Sequence, residues 1–281
     1  MPRRTDEHGV KMDAQNKLIL KEGLVDAIHR KTSPWVSVSP SRGRGRVRLI
    51  CLPYAGGGSI AYYRWASRLL PDCDLVRMNL PGRETRLREP PLKEGKRLVE
   101  SIAQELVFLT ERPYAIYGHS MGALIAFELC REMRRRRLPV PIHLFVSGFR
   151  APHLPPPDLP FAHLPDNDFL NRVREYGGIP DQIAQNEELL EIFLPILRAD
   201  FGIVETYAYE EESPLDCSIT AFGGLSDPKA TSDKICAWRL HTNKKFTAHF
   251  LPGGHFFVQE SESILLKQIN QELNEILLSS Y

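Results

Sequence analysis

A serine between two glycines, Ser120, is the side chain of this sequence with the clearest capacity for chemistry. It lies at the centre of Gly118–Gly122, which reads Gly-His-Ser-Met-Gly. An apolar run that predicts a strand, Tyr114–Tyr117, precedes this segment, and a run with helical periodicity, Ala123–Met133, follows it. At a sharp strand-to-helix turn only glycine fits beside the serine, and the serine hydroxyl stands out above the sheet. The segment therefore predicts a nucleophile, and the alternative is an ordinary glycine-rich loop.

A serine nucleophile needs a base that takes its proton, and histidine is the usual one. Among the nine histidines, His255 follows the strand-like Phe246–Leu251 through a Pro-Gly-Gly turn and precedes the C-terminal helix. A loop at the carboxyl end of a strand is where such a base belongs. We expect His249 within the strand, His241 at the surface or in a turn, and His119 held beside the nucleophile. His255 is therefore the predicted base.

An acidic side chain that orients the histidine should come between the serine and the histidine along the chain, at another strand end. Asp227 meets this condition because it directly follows the strand-like Ser218–Phe222. An aspartate in front of a proline is also a common turn former, which is the alternative for this residue. Asp200 falls in a predicted helix and Asp216 at the start of a strand. Asp227 is therefore the predicted acid.

Attack on a carbonyl creates a negative oxygen that needs N–H donors, the oxyanion hole. The backbone N–H of Met121, at the start of the predicted helix, is one expected donor. The second is expected in Pro53–Gly58, the glycine-rich loop after the first core strand, and Ala55 is the predicted residue. This loop lacks the Gly-Lys-Ser/Thr continuation of a phosphate-binding loop. No His-Glu-x-x-His motif or Cys/His cluster suggests a metal site.

The residues that carry these groups belong to an alternation of strands and helices. The predicted strands are Val47–Leu52, Asp74–Leu80, Tyr114–Tyr117, His143–Ser147, Ser218–Phe222 and Phe246–Leu251. The predicted helices are Tyr62–Leu70, Leu98–Thr110, Ala123–Met133 and Ile264–Leu278. Such alternation predicts an α/β fold with a mostly parallel central sheet flanked by helices on both faces.

One region, about residues 150–210, interrupts the alternation. A proline-dense connector, Pro152–Pro160, leads to two helix-like segments, Asp166–Tyr176 and Glu187–Tyr207, with no strand between them. An insertion that leaves the sheet at the carboxyl ends of its strands lies over the site. The region is therefore predicted to be a helical lid. The alternative is a helical elaboration of the scaffold.

The bulk composition is that of a globular domain. The chain has 281 residues, of which 42% are hydrophobic and 25% charged. Residues 1–45 differ from the rest, with a weakly amphipathic stretch, Leu18–Ile28, and a polar tail, Ser37–Arg46. We interpret residues 1–45 as a flexible N-terminal extension and residues 46–281 as the domain proper.

Charge and cysteine content restrict the partners and the compartment. The formal net charge of +1 gives no reason to expect nucleic acid. The run Arg134–Arg137 is interpreted as the solvated end of a helix, with binding of an acidic partner as the alternative. Five cysteines without a Cys-x-x-Cys pair predict reduced thiols. No apolar run approaches the length of a membrane span and no signal peptide is recognisable, so we expect a cytoplasmic protein.

Taken together, several motifs resemble those of the type II thioesterases, the stand-alone editing enzymes of nonribosomal peptide and polyketide synthesis. The motifs are Leu52–Gly58, Leu80–Glu84, Tyr117–Gly122 and Phe250–Phe257, with Leu170–Pro180 and Leu194–Phe201 in the predicted lid. The resemblance covers residues 47–278, and the long N-terminal extension is the departure from it.

The resemblance implies an α/β-hydrolase fold and hydrolysis of acyl thioesters from the phosphopantetheine arm of acyl or peptidyl carrier proteins. It implies a catalytic triad of Ser120, Asp227 and His255, with Met121 and Ala55 as the oxyanion hole. No cofactor of the enzyme itself is expected, and a monomer is expected. Arg83 and Glu84, in the second motif, are interpreted as a structural pair and not as catalytic groups.

Two other classes of function remain open at this stage. Another α/β-hydrolase reaction, such as ester hydrolysis or acyl transfer, uses the same three side chains. A catalytically inactive scaffold that binds carrier proteins is the second alternative, but it has no chemical need for an intact serine, aspartate and histidine.

Overall fold

The computed structural model describes residues 33–177 and 186–279. Within them, seven strands form one sheet: β1 (Val36–Ser39), β2 (Val47–Leu52), β3 (Cys73–Met78), β4 (Tyr114–His119), β5 (His143–Ser147), β6 (Ser218–Gly224) and β7 (Phe246–Leu251). Their order is β1-β3-β2-β4-β5-β6-β7. Every neighbouring pair is parallel except β1 with β3. The predicted α/β fold with a mostly parallel sheet is confirmed.

Helices cover both faces of the sheet. The described α-helices are α1 (Gly95–Leu106), α2 (Met121–Arg135), α3 (Asp166–Arg174), α4 (Glu187–Glu205), α5 (Ser232–Cys236), α6 (Phe257–Glu260) and α7 (Glu262–Ser279). Shorter 3₁₀ segments span Ser59–Ser67, Glu84–Arg86, Val107–Leu109 and Ala237–His241. The predicted helix Tyr62–Leu70 is therefore a 3₁₀ segment that begins and ends three residues earlier.

The side chains of β2 are buried on both faces of the sheet. Successive side chains of a strand point to opposite faces. Leu49 and Cys51 belong to the core that includes Leu265 and Ile269 of α7. Ile50 and Leu52 belong to the other core, which is shared with α1 and α2. Both faces of the strand are apolar, as parallel strands require.

The first strand corrects the predicted domain boundary. Val36–Ser39 was expected within the flexible extension of residues 1–45, but it pairs antiparallel with β3, with Val36 opposite Met78. The Asn79 side chain donates to Ser37 Oγ at 3.0 Å. The pairing depends on a distant strand, so the polar local composition concealed it. Residues 1–32, including Leu18–Ile28, lie outside the described residues.

The connection between β5 and β6 carries α3 and α4, with no strand among its described residues. These helices form a separate apolar cluster with Phe161 of the proline-dense connector. Residues 178–185, within the predicted lid, are outside the described part. Across the two described ranges, no helix is long and apolar enough to cross a membrane.

Candidate active site

The carboxyl ends of four parallel strands bring the predicted site residues together. Ser120 follows β4, Ala55 follows β2, Asp227 follows β6 and His255 follows β7. The strands β2, β4, β5, β6 and β7 are consecutive neighbours in the sheet. Loops that are far apart in sequence therefore open at the same edge.

The turn that presents Ser120 has the strained geometry of a nucleophile turn. Ser120 has φ 53° and ψ −119°, a region that non-glycine residues seldom occupy. Its N–H donates to Ser147 O at 2.8 Å. A Cβ at Gly118 would overlap the backbone of Gly122, and a Cβ at Gly122 would overlap the carbonyl oxygen of Leu52. Both glycines are therefore required by the close approach of backbone to backbone.

A chain of hydrogen bonds connects the three predicted catalytic side chains. His255 Nε2 lies 3.0 Å from Ser120 Oγ, and His255 Nδ1 lies 2.7 Å from Asp227 Oδ2. Asp227 Oδ1 accepts the N–H groups of Lys229 at 2.9 Å and Ala230 at 3.2 Å. Burial alone would raise the pKa of Asp227, but these hydrogen bonds and His255 outweigh it, and the pKa is lowered. The carboxylate is held ionised in contact with the imidazole.

The two predicted oxyanion donors are both available. Met121 is the first residue of α2, where N–H groups have no acceptor within the helix. Ala55 lines the same cavity as Ser120 and His255. In the described part of the chain, neither the Met121 N–H nor the Ala55 N–H donates to another residue. Both N–H groups are thus free to bind a substrate oxygen.

Three other histidines considered in the sequence analysis have positions in the scaffold. His119 is fully buried and its Nδ1 lies 3.0 Å from Ser147 Oγ, so it is held locally as expected. Burial lowers its pKa well below the ordinary value. His249 lies in β7, also as expected. His241, expected at the surface or in a turn, ends the 3₁₀ segment Ala237–His241; it is 5% exposed, so it does not lie at the surface, and its ring lies 2.7 Å from His153.

A small, mostly apolar cavity of about 70 Å³ adjoins Ser120 and His255. Its walls come from the proline-dense connector, helix α4 and the strand ends, and include Phe149, Pro160, Phe161, Tyr176, Phe201 and Val204. A second cavity, of about 20 Å³, lies against Tyr54, Val173 and Phe256 and shares Ser120 and His255 with the first. Ser120 therefore faces two spaces beneath the α3–α4 region.

A buried ion pair beside the site was missed by the sequence interpretation. Arg83 was expected to pair with Glu84, but its guanidinium donates to Asp200 of α4 at 2.7 and 2.9 Å. Glu84 instead accepts the N–H groups of Ser59 at 3.1 Å and Ile60 at 2.8 Å. Both residues are structural, with separate partners. Asp200 lies 117 positions from Arg83, and no local pattern connects them.

Within the described residues, no group of three or more His, Cys, Asp or Glu side chains is arranged to hold a metal ion.

The family of this chain follows from comparison with known proteins. A family model described as a thioesterase domain matches residues 47–273, which include every site residue described above. The chain belongs to the thioesterase family. Proteins of this family hydrolyse thioesters, so the chain is a thioester hydrolase with the α/β fold described above.

Relatives of similar length support this assignment. Gramicidin S biosynthesis protein GrsT of Aneurinibacillus migulanus is 38% identical over 88% of this chain and 96% of its own length. The solved RedJ thioesterase of the prodiginine pathway in Streptomyces coelicolor is 40% identical, with a TM-score of 0.78 over 83% of this chain and 92% of that one. The type II thioesterase BorB of the borrelidin cluster is 33% identical, with a TM-score of 0.78 over 86% of this chain and 98% of that one. The thioesterase is thus similar to enzymes of antibiotic biosynthesis.

Proposed function

We propose that this thioesterase acts in trans on carrier proteins of nonribosomal peptide or polyketide synthesis and hydrolyses stalled or mis-primed acyl groups from their phosphopantetheine arms. The observation that carries the proposal is the hydrogen-bonded chain from Ser120 through His255 to Asp227 at the wall of a cavity. The similarity to thioesterases of antibiotic pathways supports the substrate class.

In the first half of the reaction, Ser120 Oγ attacks the thioester carbonyl while His255 Nε2 takes its proton. The negative oxygen of the tetrahedral intermediate accepts hydrogen bonds from the N–H groups of Met121 and Ala55. The C–S bond then breaks, and His255 returns the proton to the leaving thiolate. The products are an acyl-serine ester and the free thiol of the carrier arm.

In the second half, water replaces the thiol. His255 takes a proton from the water as its oxygen attacks the acyl-serine carbonyl, and the same two N–H groups stabilise the new intermediate. Its collapse breaks the ester bond, and the proton returns to Ser120. Asp227 keeps the Nδ1 proton of His255 in place and stabilises the imidazolium in both halves.

The cavity dimensions support a short acyl group as substrate. By the same measure, one water molecule needs about 10–15 Å³, whereas the larger cavity offers about 70 Å³. An acyl group of a few carbons fits this space without movement of the α3–α4 region, which we propose acts as a lid. The chemistry requires only the side chains and N–H groups of the protein, so we propose that no cofactor is used. A cytoplasmic, monomeric enzyme that meets its carriers by diffusion fits this role.

The test compares one acyl group on three leaving groups: an acyl-phosphopantetheinyl carrier protein, the acyl-coenzyme A and the p-nitrophenyl ester. We expect the highest kcat/KM for the carrier. Replacement Ser120→Ala should lower kcat at least about 10³-fold, whereas Ser101→Ala, a serine on the surface helix α1, should leave kcat unchanged. Full turnover by Ser120→Ala would reject the nucleophile, and a strong preference for the ester would favour ester hydrolysis instead.

A further inference from the structure

A buried ionic bridge joins the lid helix α4 to the loop Pro53–Gly58. Asp200 Oδ2 of α4 accepts the N–H of Gly56 at 2.8 Å. The guanidinium of Arg83 binds both carboxylate oxygens of Asp200 and also donates to Gly57 O at 2.9 Å. The bridge therefore contacts two successive residues of the loop that contains Ala55.

The bridge is deeply buried, so it contributes little net stability to the fold, and its effect lies in the geometry that it imposes. Asp200 is 1% exposed and Arg83 is 5% exposed. Removing two charges from water costs about as much as their attraction returns, so apolar residues would stabilise the fold equally well. What apolar residues would not supply is a carboxylate oxygen directed at one particular backbone N–H group.

The loop has a turn whose orientation depends on that N–H group. Gly57 N donates to Tyr54 O at 2.9 Å, and Gly56 has φ +74°, which is typical of the third residue of a type II turn. Type I and type II turns differ in the orientation of their central peptide. In this turn the central peptide joins Ala55 to Gly56, and its N–H is the one that Asp200 accepts.

Helix α4 also holds this turn by packing. A Cβ at Gly56 would lie 2.5 Å from Leu197 Cδ2, three residues before Asp200. Phe201, the residue after Asp200, lines the cavity beside Ser120. One short stretch of α4 therefore contacts the turn and forms the wall of the cavity.

We propose that Asp200 is a positioning residue that orients the oxyanion hole through Gly56, with Arg83 holding its carboxylate in place. Because of the bridge, the Ala55 N–H is correctly placed only when α4 lies against the Pro53–Gly58 loop. Lid and oxyanion hole are thus coupled, and a displaced lid leaves the triad intact but the oxyanion poorly bound. This inference rests on the proposed function of Ala55 and Ser120.

The test compares Asp200→Ala and Asp200→Asn with the unaltered enzyme on a small acyl-N-acetylcysteamine thioester. Removal of one oxyanion donor typically lowers kcat about 10²- to 10³-fold. Because Asp200→Ala only misplaces a donor, we expect kcat to fall about 10- to 100-fold with KM changed less than about threefold. Asp200→Asn keeps an oxygen that can accept the Gly56 N–H, so it should recover most of the loss.

Two inhibitors separate positioning from a general structural role. A trifluoromethyl ketone analogue forms a tetrahedral adduct with Ser120 and needs the oxyanion hole, whereas a thioether analogue does not. In Asp200→Ala we expect the affinity for the ketone to fall by the same factor as kcat, with the thioether unaffected. Equal weakening of both inhibitors, or a folded Asp200→Ala enzyme with unchanged kcat, would overturn the proposal. If Asp200→Ala does not fold, the double replacement Arg83→Met with Asp200→Leu removes the bridge without leaving an unpaired buried charge, and the same ratio measured on it decides.

A matched control lies on the same helix. Arg198 of α4 pairs with Asp166 at 2.6 Å and binds Leu164 O at 2.7 Å, within the lid and away from the Pro53–Gly58 loop. Arg198→Gln should lower the thermal midpoint while leaving the ketone-to-thioether affinity ratio unchanged. If the proposed function is wrong, Ser120→Ala will keep full turnover or the unaltered enzyme will prefer the ester to the carrier. Neither result depends on Asp200, so the two failures are distinguishable.

Discussion

His255 Nδ1 and Asp227 Oδ2 lie 2.7 Å apart, and the opposite nitrogen of the same ring lies 3.0 Å from Ser120 Oγ. The carboxylate thus determines which ring nitrogen carries the proton. With the proton on Nδ1, Nε2 presents a lone pair to the serine hydroxyl. Two backbone N–H groups, of Lys229 and Ala230, hold the other carboxylate oxygen and fix its direction.

Replacement Asp227→Asn should reverse the tautomer of His255. The asparagine oxygen can still accept from Lys229 and Ala230, which directs its NH₂ group at Nδ1. Nε2 then carries the proton and is unable to accept one from Ser120. We expect kcat to fall about 10³- to 10⁴-fold with little change in fold, measured by thioester hydrolysis and circular dichroism. Asp216→Asn, two residues before β6, is the control. A loss below tenfold in Asp227→Asn would contradict the assignment.

Replacement Phe201→Leu should enlarge the cavity beside Ser120 and shift the acyl-chain preference. Phe201 lines that cavity, whereas Phe169 packs in the same lid cluster without lining it. One methylene group more or less in an apolar pocket changes the ratio of kcat/KM values about 10-fold or more. We therefore expect the ratio of kcat/KM for octanoyl over acetyl thioesters to rise about 10-fold in Phe201→Leu. A similar rise in the control Phe169→Leu would point to a general loosening of the lid.

Replacement of Gly122 and Gly202 by alanine should change the free energy of unfolding in opposite directions. A Cβ at Gly122 would overlap the carbonyl oxygens of Leu52 and Pro53, which are backbone atoms with little freedom to move. We expect Gly122→Ala to lower the free energy of unfolding by about 3 kcal/mol or more. At Gly202, within α4, the added Cβ would have no atom within 4 Å apart from its chain neighbours and the backbone of its own helix. Gly202→Ala should raise the unfolding free energy by about 0.5–1 kcal/mol, and urea titration measures both.

Acid should destabilise the fold partly through Glu212. Its carboxylate binds Arg131, Arg134 and Arg135 at the end of α2, so the Arg134–Arg137 run is largely paired within the chain. Burial alone would raise the pKa of Glu212, but the three guanidinium groups outweigh it and lower the pKa to about 2. Between the unfolded value of 4.5 and the folded value of about 2, the unfolded state binds more protons. Stability is therefore present above pH 4.5 and is lost as the pH falls through this window.

The measurement for Glu212 is the free energy of unfolding in urea at pH 7 and at pH 3.5. Glu212→Gln should be less stable than the unaltered enzyme at pH 7 by about 1–2 kcal/mol. This difference in unfolding free energy should be smaller at pH 3.5, because the Glu212 carboxylate then contributes less stability to the unaltered enzyme. Glu211→Gln, the exposed neighbour, should show no such gap. An equal gap at both pH values would mean that the ionic contribution is wrongly assigned.

Local sequence patterns were sufficient to predict the six parallel strands of the sheet and the side chains of Ser120, His255 and Asp227 that form one hydrogen-bonded chain. The strands that hold the site are short apolar runs, each with its own turn chemistry, so their carboxyl ends are recognisable without knowledge of the partner strands. Gly118 and Gly122 mark the nucleophile turn because that turn has no room for a Cβ. Asp227 and His255 were found because each follows the carboxyl end of a strand after a short turn.

Contacts between distant segments were decided only by the tertiary structure. The strand Val36–Ser39 alternates valine and serine, but it is only four residues long and runs into the polar stretch that ends at Arg46. Its pairing with the distant strand β3 is visible only in the tertiary structure. Asp200 was set aside as a helix residue, since nothing near it in sequence points to Arg83 or Gly56. Buried charges require partners, and for Asp200 those partners lie in distant segments that meet it only where the helix docks. The sequence by itself determined which groups could react; the packing of α4 on the Pro53–Gly58 loop decided how the site is held in place.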